Sequence, residues 1–195
     1  MIESDAVVYI VDDDVLLRDS LEQLVKSVGL KAETFSDAVD FLEYDLPDRP
    51  GCLVLDIRMS GLSGLELQDE LAKNGVSIPI IFITGHGTVP MSVRAMKAGA
   101  VDFLQKPFEA QDLLDAIHRA IKQNRQIRVE QAERADIKGR IKSLTSREHE
   151  ILVFVVAGMM NKQIAFELDV SENTVKTHRA RIMRKMEVAS LAGLV

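Results

Sequence analysis

Between residues 6 and 122 the chain alternates, five times over, a short β-rich run with a stretch of helical periodicity. The runs fall at 7–11, 31–35, 53–55, 80–84 and 102–104. Between them Leu17, Leu21, Leu24 and Val28, then Leu67 and Leu71, then Met91 and Ala95, recur three or four residues apart. That is the spacing of one helix face. Strands alternating with helices form βαβ units, which give a parallel sheet with right-handed crossovers. The runs VVYIV and IPIIFI are apolar throughout, as strands covered on both faces should be. The expected fold is an α/β doubly wound, five-stranded parallel sheet over residues 1–122, with Ser36 as the cap that starts the second helix.

Four of these runs end in residues that suit one reaction. Asp12 and Asp13 follow the first, Asp56 the third, Thr84 closes the fourth, and Lys106-Pro107 follows the fifth. Ligands of open parallel sheets bind at that carboxyl edge. An aspartate carboxylate can act as a nucleophile and carry a phosphoryl group as a mixed anhydride. Such a site needs cations, and Mg²⁺ takes carboxylate oxygens, waters and phosphate oxygens. Asp12, Asp13 and Asp56 supply carboxylates, Lys106 a point charge, and Thr84 a hydroxyl for a phosphate oxygen. Taken singly, Asp12–Asp14 reads as a solvated acidic loop, Asp56 as a helix cap, Thr84 as structural and Lys106 as a surface lysine. At four strand ends of one sheet they read as a pocket.

With this spacing, residues 5–122 resemble the receiver domain of two-component response regulators. The stretch GHGTVPMSVRAMKAGAVDFLQKPF (85–108) resembles the FixJ/StyR/TodT-like branch. The resemblance implies that a sensor histidine kinase phosphorylates Asp56. It implies that Asp12, Asp13, Asp56 and the Arg58 carbonyl hold Mg²⁺ (or Mn²⁺), that Lys106 contacts the phosphoryl group, and that Thr84 and Phe103 form a switch pair. Two positions depart from the usual pattern. Ser60 stands where proline is common, which is expected to loosen the loop beside the pocket, and Phe103 lacks the common tyrosine hydroxyl. A rival reading, an aspartate-nucleophile phosphohydrolase, needs a second acid two residues after the nucleophile, and Arg58 is there instead. A second rival, a regulator that works without phosphorylation, usually shows a damaged pocket, and this one is intact.

Residues 119–142 are charged, rich in helix formers and free of proline. They either extend the fifth helix or form a separate linker, assigned here to 123–142. From Leu144 onward no strand pattern appears. Thr145 to Glu148 is a capping box for a helix reaching Val156, and Gly158 ends it. A short helix follows from Asn161, Asp169-Val170 make a tight connection, and Ser171 caps a helix running to about Met186. A fourth begins at 189–195. Between Glu172 and Met186 there are five basic residues and one acid. A short helix, a turn and a basic helix make a helix-turn-helix. Residues 144–186 resemble the LuxR/NarL-type helix-turn-helix along their whole length. By that resemblance Lys176, Thr177, Ala180 and Arg181 face base edges of double-stranded promoter DNA, while Lys162 and Lys185 contact phosphates. Residues 143–195 are therefore expected to form a DNA-binding domain, used as a homodimer once Asp56 is phosphorylated.

The net charge of −6 hides an asymmetry that fits this division. Residues 1–122 hold 11 Lys and Arg against 21 Asp and Glu, whereas 143–195 hold 7 against 6. The longest apolar stretch, ILVFVVAGMM, is too short for a membrane span, and the acidic N-terminus is unlike a signal peptide. The expectation is a cytoplasmic regulator with no membrane partner and no enzymatic role beyond slow self-dephosphorylation. Cys52, the one cysteine, is expected to be a buried structural thiol. The four histidines show no metal-ligand spacing.

Overall fold

The computed structural model describes residues 5–85 and 87–190. The chain divides into two compact units, 1–128 and 129–195. In the first, β1 (Val7–Val11), β2 (Lys31–Phe35), β3 (Gly51–Asp56), β4 (Ile80–Thr84) and β5 (Asp102–Gln105) form one parallel sheet in the order β2-β1-β3-β4-β5. The helices are α1 (Val15–Ser27), α2 (Ala38–Glu43), α3 (Gly64–Lys73), α4 (Val89–Lys97) and α5 (Ala110–Lys142).

Strand alternation divides the core in two. Val8, Ile10, Val54, Ile81 and Ile83 pack with Leu21 and Val25 of α1 and Leu113, Ile117 and Ile121 of α5. Val7, Tyr9, Val11, Leu53, Leu55 and Phe82 face the other way, toward Phe41 of α2, Leu67 and Leu71 of α3 and Ala95 of α4. Successive residues of a strand point to opposite faces, so only a run apolar at every position can fill both layers. Cys52 is fully buried in β3, and desolvation pushes its thiol far up.

Two local readings change, and an alternative left open is decided. Asp37, not Ser36, caps α2: its carboxylate accepts from the N–H groups of Val39 and Asp40, both at 2.9 Å. One residue nearer the helix, Asp37 can reach both free N–H groups of the first turn. β3 is longer than the run 53–55, because pairing with β1 extends it to Gly51. A Cβ at Gly51 would lie 2.6 Å from the Val7 carbonyl oxygen, so glycine permits that pairing. Residues 123–142 continue α5 without a break. Within the first unit Asn124 holds this helix, accepting from the Gly51 N–H (3.1 Å) and donating to the Ser77 carbonyl (3.3 Å).

The second unit contains α6 (Ser146–Val156), α7 (Asn161–Glu167) and α8 (Glu172–Lys185) around Ile151, Val155, Ile164, Ala165, Val175 and Ile182. The capping box at Thr145 is formed in both directions. Gly158 leaves α6 with φ 80°, and Asp169 makes the α7–α8 turn with φ 51°. Ser171 caps α8 by accepting from Thr174 N–H at 3.1 Å. The fourth helix expected at 189–195 lies largely outside the described residues. Among those described, no helix is long and apolar enough to cross a membrane.

Candidate functional site

The β1–α1 loop separates three consecutive aspartates into three environments. Asp12 is buried at 1% exposure; its Oδ1 accepts from the Asp14 N–H at 2.9 Å. Asp13 is exposed. Asp14 is the N-cap of α1 and accepts from the N–H groups of Leu16 and Leu17. Arg18 donates to the Asp12 carbonyl at 2.6 Å and fixes the loop from one helical turn away.

Asp56 ends β3 beside this loop. Its Oδ2 accepts from the Arg58 N–H at 3.0 Å. The start of α3 comes so close that a Cβ at Gly64 would lie 2.3 Å from the Asp56 carbonyl oxygen. Gly64 is a site residue that the sequence pattern does not single out; its only signal is a glycine at a helix start just past a strand.

Lys106 joins the two buried carboxylates. Its Nζ donates to Asp12 Oδ2 at 2.8 Å and to Asp56 Oδ1 at 2.9 Å. The Lys106 N–H donates to the Thr84 carbonyl at 2.8 Å, continuing the β4–β5 pairing to the pocket. The Lys106-Pro107 peptide, left open by the sequence, is cis. Burial pushes the Asp56 carboxyl above its ordinary range, and the Asp12 charge adds to the rise, against the lowering effect of Lys106 and the Arg58 N–H. Burial acts to lower the Lys106 ammonium, but its hydrogen bonds and charges with Asp12 and Asp56 outweigh that and raise it. An ammonium held charged between two carboxylates is placed to meet oxygens of a phosphoryl group on either one.

Thr84 is buried at 1% exposure, and Phe103 is half-buried against the second core layer. The two side chains meet at Gly87, where a Cβ would lie 2.9 Å from the Phe103 ring and 3.1 Å from Thr84 Cγ2. At position 60 the Ser60 N–H donates to Asp13 Oδ2 at 2.9 Å. Among the described residues no three His, Cys, Asp or Glu side chains already converge on one cation position. The oxygens of Asp12, Asp13 and Asp56 are nonetheless hard donors of one pocket, suited to an ion that keeps several waters.

In the second unit α8 turns Val175 and Ile182 into the core and leaves Lys176, Thr177, Ala180, Arg181 and Arg184 exposed along one open groove. Lys162 is exposed on α7. Lys185 has partners within the unit: its Nζ donates to the buried Glu148 Oε2 at 2.6 Å and to the Ser143 carbonyl at 2.9 Å. The Lys185 hydrogen bond and the Thr145 N–H hold the Glu148 carboxyl down at about 2. Lys185 therefore serves the packing of α6 on α8. The Asn161 side chain accepts from Arg179 at 2.5 Å. The local pattern of α8 carries no information about a buried partner 37 residues away.

A carboxylate pocket at the carboxyl edge of this sheet and a separate basic helix-turn-helix define a two-component response regulator, and the chain belongs to that family. Residues 8–118 match the response regulator receiver domain, and residues 142–195 match the luxR family of bacterial regulatory proteins. Nodulation protein W of Bradyrhizobium diazoefficiens is 50% identical over 97% of this chain and 84% of its own length. Response regulator protein TodT of Pseudomonas putida is 49% identical over 100% of this chain and 86% of its own. The solved response regulator StyR is 50% identical with a TM-score of 0.89, covering 98% of this chain and 96% of that one. Full-length FixJ from B. japonicum is 43% identical with a TM-score of 0.60, over 97% and 93%. Phosphorylation-dependent control of transcription is the standard role of this family.

Proposed function

We propose that Asp56 is the phosphoacceptor of this chain and that its phosphorylation by a sensor histidine kinase, in the cytoplasm, directs residues 129–195 to promoter DNA. One observation carries the reading: the Lys106 ammonium spans Asp12 Oδ2 and Asp56 Oδ1 at the carboxyl edge of the sheet. An Asp56 carboxylate oxygen attacks phosphorus, forming the O–P bond as the bond to the donor breaks. Lys106 stays charged throughout and accompanies the phosphoryl oxygens. Asp12, Asp13, Asp56 and the Arg58 carbonyl would hold Mg²⁺ (or Mn²⁺), which when bound offsets the negative charge gathered in the pocket. The phosphorylated carboxylate offers the Thr84 hydroxyl new acceptor oxygens. Phe103, in contact with the same glycine, follows Thr84, and the surface of α4 and β5 becomes the face of a homodimer.

Residues 129–195 carry the output. Lys176, Thr177, Ala180 and Arg181 face base edges in the major groove, and Lys162 contacts phosphate. Lys185 is left out of that face because its ammonium is engaged by Glu148. The chain is a switch, with no enzymatic role beyond slow self-dephosphorylation. Native mass spectrometry with and without acetyl phosphate and Mg²⁺ tests the proposal, since it reads phosphoryl mass and dimer together. A chain that gains phosphate without gaining dimer removes the second half of the proposal. One that gains no phosphate removes the first.

A further inference from the structure

The three pocket carboxylates share a pattern in how the backbone holds them. Asp12 Oδ1 accepts from Asp14 N–H, Asp56 Oδ2 from Arg58 N–H, and Asp13 Oδ2 from Ser60 N–H, at 2.9, 3.0 and 2.9 Å. The first two donors lie two residues from their acceptors and come with the local turn. The third crosses 47 positions of sequence and ties the β3–α3 loop to the β1–α1 loop. The second oxygens of Asp12 and Asp56 are both taken by Lys106. Asp13 is the exposed carboxylate of the three, and with Oδ2 held by Ser60 its Oδ1 is the oxygen left to meet a cation.

The N–H at position 60 exists only because the residue is not proline, which has none. The serine expected to loosen this loop thus supplies the donor that ties it. We propose that the Ser60 backbone N–H is a positioning group for Mg²⁺: it fixes the Asp13 carboxylate in one orientation and raises the affinity of the pocket. The inference rests on the metal-pocket reading above. Donors behind a metal ligand act in this way, setting its direction before the ion arrives. An exposed aspartate without such a partner must be ordered by the ion itself, which weakens binding. The serine hydroxyl plays no part.

The test uses the full-length chain and Mg²⁺ alone, with binding read by calorimetric titration. Ser60→Pro removes the donor and is expected to weaken Mg²⁺ binding by about tenfold. Ser60→Ala, which keeps the N–H, restores the parental affinity, and Asp13→Ala weakens binding at least as much as Ser60→Pro. Amide hydrogen exchange gives a second reading that needs no proline variant: the Ser60 N–H is slowed in the parent and speeds up in Asp13→Ala. Parental affinity in Ser60→Pro, or a Ser60 amide that exchanges equally in parent and Asp13→Ala, overturns the inference while leaving the pocket intact. Parental affinity in Asp13→Ala instead removes the metal-pocket reading on which it stands.

Discussion

Asp56 shows what the pocket demands of a single side chain. Burial pushes its carboxyl up, so the ionised group is less favourable in the folded chain than in the unfolded one. The resulting penalty is absent below its ordinary 3.8 and grows as pH rises from there to the higher folded value. Asp56→Asn removes it, while Lys106 keeps Asp12 as a partner. Without Mg²⁺ at pH 7 this variant is expected to melt higher than the parent. It should also take up no phosphoryl mass from acetyl phosphate. Stoichiometric labelling of Asp56→Asn would place the nucleophile elsewhere. Glu148 presents the opposite sign. Its carboxyl is held at about 2 against an ordinary 4.5, so its contribution is complete above 4.5 and is lost as pH falls from there toward 2. Thermal melting of the second unit should decline across that window, and Glu148→Gln should flatten the decline.

Within α8 the inward and outward faces separate stability from recognition. Lys176 and Arg181 are exposed, whereas Lys185 is tied to a buried carboxylate on α6. Lys185→Ala leaves Glu148 without its cation and is expected to destabilise the second unit by about 1–3 kcal/mol. Calorimetry reads that loss directly, and the salt dependence of DNA binding should stay as in the parent. Lys176→Ala should leave melting unchanged, cost on the order of 1–3 kcal/mol in binding, and relax preference at one base pair. Equal losses on specific and random DNA would make Lys176 a backbone contact. Lys162→Ala should weaken all sequences alike and reduce the salt slope by about one. In the first unit, α4 exposes Val89, Val93 and Met96. Val93→Asp is expected to leave phosphorylation of Asp56 intact and abolish the phosphorylation-dependent dimer, as native mass spectrometry would show.

Over the whole molecule, the sequence made the architecture legible through period and continuity. Runs such as VVYIV carry apolar side chains on both strand faces, and that pattern suits a sheet with two covered faces and little else. The placing of Asp12, Asp56, Thr84 and Lys106 followed, because parallel strands bring their carboxyl ends to one edge wherever they lie in the chain. The helix-turn-helix was equally legible, since a capping box, a turn and an amphipathic basic helix are all local signals.

Tertiary structure decided which polar group meets which. Asp12, Asp13 and Asp14 are identical in the sequence, and only the fold makes one a buried partner of Lys106, one an exposed ligand candidate and one a helix cap. The Ser60 N–H finds Asp13 across the pocket, 47 positions away in sequence. The Lys185 ammonium finds Glu148, a partner 37 residues away. The sequence pattern does not single out Gly64 and Gly87, because the crowding that requires them comes from Asp56 in one case and from Thr84 with Phe103 in the other. The physical reason is one of range. Periodicity and capping act over a few residues and are written in local order, whereas a hydrogen bond between distant residues exists only after the core has fixed both ends.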